Sequence, residues 1–83
     1  MWEDVSKDGV RWRKRRWNTS FEAWYQVEPS SHGYRYHVIE LPTCTVLLGG
    51  FASGLGPERL ERVLENDLRT VSARDTAEVP SPP

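Results

Sequence analysis

A chain of 83 residues with one cysteine and a net charge of −1 is sized for a single domain with a thin core. It cannot close an internal disulfide, and its two histidines form no Cys/His cluster of metal-ligand spacing. Four tryptophans, three tyrosines and two phenylalanines leave aromatic packing or self-association to stabilise the fold.

In chain order, residues 1–8 read as a loose N-terminal arm, with Trp2 as its anchor. No apolar run follows Met1, which predicts a chain without a signal peptide. Together with the lone cysteine this points to a reducing, cytoplasmic setting. From residue 10, Val10 and Trp12 alternate with Arg11, Arg13 and Arg15. From residue 21, Phe21, Ala23, Tyr25 and Val27 alternate with Glu22, Trp24, Gln26 and Glu28. Period two is the strand signature, and residues 17–20 make the hairpin loop between the two strands. After a turn at 29–33, residues 34–41 form a third strand with Tyr34, Tyr36 and Val38 on one face. Pro42 ends it.

Residues 44–51, CTVLLGGF, form a fourth strand that is apolar on both faces. That pattern predicts a strand buried on both sides or lying at an interface, with Cys44 as a small core residue. Pro57 then suits the first turn of a helix, and Glu58 and Glu61 favour its N-terminus. Leu60, Val63, Leu64, Leu68 and Val71 make one apolar stripe over about four turns. Residues 72–83 are polar and proline-rich and read as a disordered tail. The fold class is therefore α+β: a four-stranded, or three-stranded, antiparallel meander over 9–71 with one C-terminal helix packed on one face.

The face turned away from the helix follows from the pairing of strands. Setting Trp12 opposite Tyr25, and Tyr25 opposite Tyr36, gives the rows Arg11-Gln26-Arg35, Arg13-Trp24-His37 and Arg15-Glu22-Ile39. These rows have two readings. One is a solvated sheet surface with an Arg15–Glu22 ion pair and Arg13 over Trp24. The other is a surface that reads nucleic acid, since Arg and Gln bond base edges and sheets can enter a major groove. Gly9-Val10-Arg11, and Leu48-Gly49-Gly50-Phe51 followed by the helix, resemble the first-strand and last-strand motifs of AP2-type and integrase-arm DNA-binding domains over residues 9–70. The resemblance implies that Arg11, Arg13, Trp24 and Arg35 contact DNA, with Arg15 beside them on the same face.

A meander that continues in phase also brings Ile39, Val46 and Leu48 to this face. An apolar patch beside Arg and Trp has the character of a protein interface, and a net charge of −1 suits a protein partner better than a phosphate backbone. The protein-binding candidates are Trp24, His37, Ile39, Val46 and Leu48. The N-terminal arm, through Trp2 and Val5, offers another cover for the same patch. Gly54-Leu55-Gly56 is not a phosphate loop: Arg59 stands where a third glycine is needed, and no Gly-Lys-Ser/Thr follows. No catalytic constellation is present, and the chain leaves little room for a substrate cavity. The sequence thus predicts a small non-enzymatic binding module without cofactor, metal or membrane. It would be an accessory or inhibitory factor of phage or mobile-element type acting on a host protein or on a second copy. DNA binding is the alternative.

Overall fold

The computed structural model describes residues 1–77. Asp8 and Gly9 both take positive φ, 54° and 77°, as a two-residue type I′ turn requires. They join β1 (Glu3–Lys7) to β2 (Val10–Arg16), with Lys7 opposite Val10. Residues 3–7 are therefore an edge strand rather than an arm. The sheet has five antiparallel strands in sequential order, not four or three.

The second hairpin joins β2 to β3 (Phe21–Gln26). The Asn18 Oδ1 accepts hydrogen bonds from the Ser20 and Phe21 backbone N–H groups, at 2.8 and 3.0 Å. The Trp17 N–H donates to the Phe21 carbonyl at 2.9 Å. Trp17 is thereby fixed opposite Phe21, so Arg16 faces Glu22, Lys14 faces Trp24 and Trp12 faces Gln26. The turn sets β2 one residue away from the expected register, and each of its side chains changes face.

β4 (Tyr34–Glu40) pairs with β3 as expected, with Tyr25 opposite Tyr36 and Trp24 opposite His37. Gly33, just before β4, has φ 102°. A Cβ there would overlap the backbone carbonyl of Ala52. Gly33→Ala is expected to lower stability by about 1–2 kcal/mol through this clash and the strained φ, read as a lower urea midpoint. β5 (Thr45–Ala52) closes the sheet. Its register steps between Ile39, opposite Val46, and Val38, opposite Leu48, which leaves Leu47 as an inserted bulge residue. Val46 shares a face with Ile39. Leu48 falls on the helix side with Val38, which corrects its expected place on the open face. β5 is also an exposed edge, not a strand buried on both sides, and Cys44 is exposed in the turn before it.

α1 (Pro57–Ala77) runs past the expected end of the domain at residue 71, because residues 72–77 contain no Gly or Pro to stop it. The remainder of the expected tail, 78–83, lies outside the described residues. Leu60, Leu64 and Leu68 are fully buried on Phe21, Ala23, Tyr25 and Val38. The apolar stripe is narrower than the sequence pattern suggested, since Val63 is 45% exposed. Among the described residues no helix is long and apolar enough to cross a membrane.

Candidate functional site

The two faces of β2 divide its cations between different tasks. Arg13, opposite Tyr25, lies on the helix side, 3.4 Å from Glu61 and 3.5 Å from Asp4. Arg15, opposite Ala23, lies 3.4 Å from Glu65 and packs its guanidinium over Trp17 at 5.3 Å. The Tyr25 hydroxyl donates to Glu61 at 2.6 Å. Burial and the adjacent carboxylate raise its pKa well above the usual tyrosine range. Trp2 sits edge-on to Tyr25 at 5.4 Å, and its indole N–H donates to Glu65 at 3.0 Å. Trp2 therefore clamps the helix side and does not cover the open face. Arg11 shares the helix-side parity of Arg13, opposite Ser6. Of the residues expected to contact DNA, only Trp24 and Arg35 remain on the open face.

The open face is built from rows that cross the strands. Glu3, Lys14, Trp24, His37 and Gly49 form one, and Arg16, Glu22, Ile39 and Val46 form the next. Val5, Trp12 and Gln26 form a third. Trp12 stands edge-on to Trp24 at 6.0 Å, and His37 packs against both, at 5.2 Å from Trp12 and stacked at 6.0 Å from Trp24. Lys14 and Lys7 hold their ammonium groups over Trp24 at 5.4 and 5.9 Å. Glu22 is only 4% exposed, with its carboxylate accepting from Arg16 Nε at 2.9 Å and Trp24 Nε1 at 3.1 Å. These two bonds satisfy a carboxylate that would otherwise be costly to bury, and they fix the rotation of the Trp24 ring.

Between the aromatic cluster and β5 lies a cleft of about 220 Å³, walled by Trp12, Trp24, His37, Ile39 and Val46 and completed by Lys7, Glu22 and Cys44. A larger groove of about 380 Å³ runs past Arg11, Gln26 and Glu28 at the other end of the sheet, but it has no aromatic wall. Among the described residues no cluster of His, Cys, Asp or Glu could hold a metal ion. No family model matches this chain, and no curated protein or solved structure matches it.

Of the expected protein-binding set, Trp24, His37, Ile39 and Val46 meet in the cleft, and Leu48 does not. The expected register, with Trp12 opposite Tyr25, turned Trp12 to the helix side; it had Glu22 on the open face but not as part of the site, and Lys7 and Lys14 were missed. The Asp8-Gly9 pair was the signal that could have found Lys7, because it calls for a strand on its N-terminal side. Burial, then Arg35 and Lys7, lower the pKa of His37 below the ordinary 6.5. The unfolded chain therefore takes up this proton more readily than the folded one, and stability falls as the pH drops below about 6.5. Urea midpoints are expected to decline between neutral pH and pH 5, and His37→Gln is expected to flatten that part of the profile.

Proposed function

We propose that this chain is a non-enzymatic, protein-binding accessory module that takes an apolar side chain of its partner into the Trp12–Trp24–Val46 cleft. The observation that carries this reading is the cleft itself: two tryptophans and exposed Val46 around an apolar hollow, with Lys7, Lys14 and Arg16 near its margin. Large aromatic anchors bordered by cations are the usual energetic centre of protein interfaces. Immobilised parent protein is expected to retain a partner that Trp24→Ala and Val46→Asp both lose, with the circular dichroism of both variants unchanged. Equal retention by both folded variants would place binding elsewhere.

A second reading, contact with nucleic acid, draws on the cations Lys7, Lys14, Arg16 and Arg35 beside Trp24 on the open face. Its support is reduced because Arg13 and Arg15 face Glu61 and Glu65, and Arg16 is paired with Glu22. Anisotropy of a labelled duplex at low and physiological salt distinguishes the two readings. Phosphate contact gives affinity that falls steeply with salt and weakens in Lys14→Glu.

A further inference from the structure

We propose that β5 is the interface through which two copies of this chain pair antiparallel, joining their sheets into one. The sequence of β5, TVLLGGFA, contains no charged residue and no proline. Its Val46, Leu47, Leu48 and Phe51 are 61, 39, 41 and 49% exposed. Soluble proteins ordinarily protect an edge strand with charge, proline or a covering element. The opposite edge is protected in this way: β1 carries Glu3, Asp4 and Lys7. Among the described residues the only such device on β5 is the bulge at Leu47, which leaves Leu48 to Ala52 as a regular, uncharged segment.

The faces of that segment select its partner. Leu48, Gly50 and Ala52 point to the helix side, opposite Val38, Tyr36 and Tyr34, while Gly49 and Phe51 point to the open side, opposite His37 and Arg35. Directly opposed residues in an antiparallel pair must share a face. For two copies of β5, the register with the largest overlap that meets this condition is centred on Gly50. It sets Leu48 against the copy's Ala52, and Phe51 against the copy's Gly49. Each large side chain meets a small one, on both faces, twice over. Such pairing is isologous and closes at two copies. Pairing β5 with the β1 of another copy would run on without end and set apolar against charged residues. A thin-cored domain also gains from the added burial. The two-fold axis stands perpendicular to the sheet, so both Trp12–Trp24 clefts open on the same side.

Sedimentation equilibrium of the full chain, from low micromolar to high micromolar concentration, tests this. The parent is expected to reach twice the 9.6 kDa chain mass. Leu48→Lys and Phe51→Lys are each expected to stay at the single-chain mass with unchanged circular dichroism, and Trp24→Ala to dimerise like the parent. A parent that stays single throughout the range overturns the proposal. So does a dimer that survives both lysine substitutions, or one that Trp24→Ala alone abolishes. Amide exchange of the parent keeps the test decisive should the lysine variants misfold. Protection within Leu48–Ala52 must rise with protein concentration while that of β1 does not, and protection independent of concentration overturns the pairing.

Discussion

Leu64→Ala is expected to remove about 3 kcal/mol of stability and to lower Tm by roughly 12 °C or more. Leu64 has no exposed surface and lies between Leu60 and Leu68 on the buried line of α1. The residues beneath it belong to the sheet: Phe21, Ala23, Tyr25 and Val38. Strands held by their own ladders cannot close around the hole, so most of the cavity persists. A domain of this size holds only about 4–12 kcal/mol in all, so the loss is a large fraction of the total. Thermal and urea unfolding followed by circular dichroism measure it. A loss comparable to that of an exposed substitution such as Val63→Ala would mean that the helix does not seat on the sheet as described.

The second large effect is expected from Glu61→Ala, which should cost about 2 kcal/mol. Its carboxylate accepts the Tyr25 hydroxyl at 2.6 Å and faces Arg13 at 3.4 Å. Tyr25 is 1% exposed, so truncation leaves a buried donor without its acceptor. In a Tyr25→Phe background that donor is gone, and the same substitution is expected to cost clearly less. The double-mutant cycle isolates the coupling. Ultraviolet titration gives an independent check. The Glu61 carboxylate helps hold the Tyr25 pKa high, so Glu61→Ala is expected to let this phenol ionise at lower pH.

Much of the architecture was legible because β3 and β4 alternate without ambiguity. Phe21, Ala23, Tyr25 and Val38 sort to one face and Glu22, Trp24 and Ile39 to the other, and the helix takes the more apolar set. β2 was legible as a strand but not in its register. Its two alternating sets are Val10 and Trp12 against Arg11, Arg13 and Arg15, and both tryptophan and arginine can lie half-buried with a polar tip. With no clear apolar face, the decision passed to Asn18, whose side chain closes the loop three residues long. Glu61 and Glu65 on the helix flank then receive the arginines. The apolar patch expected on the open face shares residues with the cleft for the same reason. Residues anchored on β3 and β4 were placed correctly, Trp12 was not, and Leu48 was lost to a bulge inside an unbroken apolar run that offers no alternation to reveal it.

The clasp between Trp2 and Glu65 also bears on the order in which the fold is made. These residues stand 63 positions apart, and Tyr25 and Glu61 stand 36 apart. The hairpins can form from neighbouring sequence as the chain leaves the ribosome, and Asp4 is already there to face Arg13, but Glu61 and Glu65, the helix acids that Arg13 and Arg15 face, are translated much later. Until α1 arrives, the helix side of the sheet shows bare tyrosine and phenylalanine and an Arg15 without its Glu65. Long-range closure of this kind is slow, and its intermediates expose adhesive surface. The nascent chain therefore passes through a sticky hairpin stage that ends only when the helix docks.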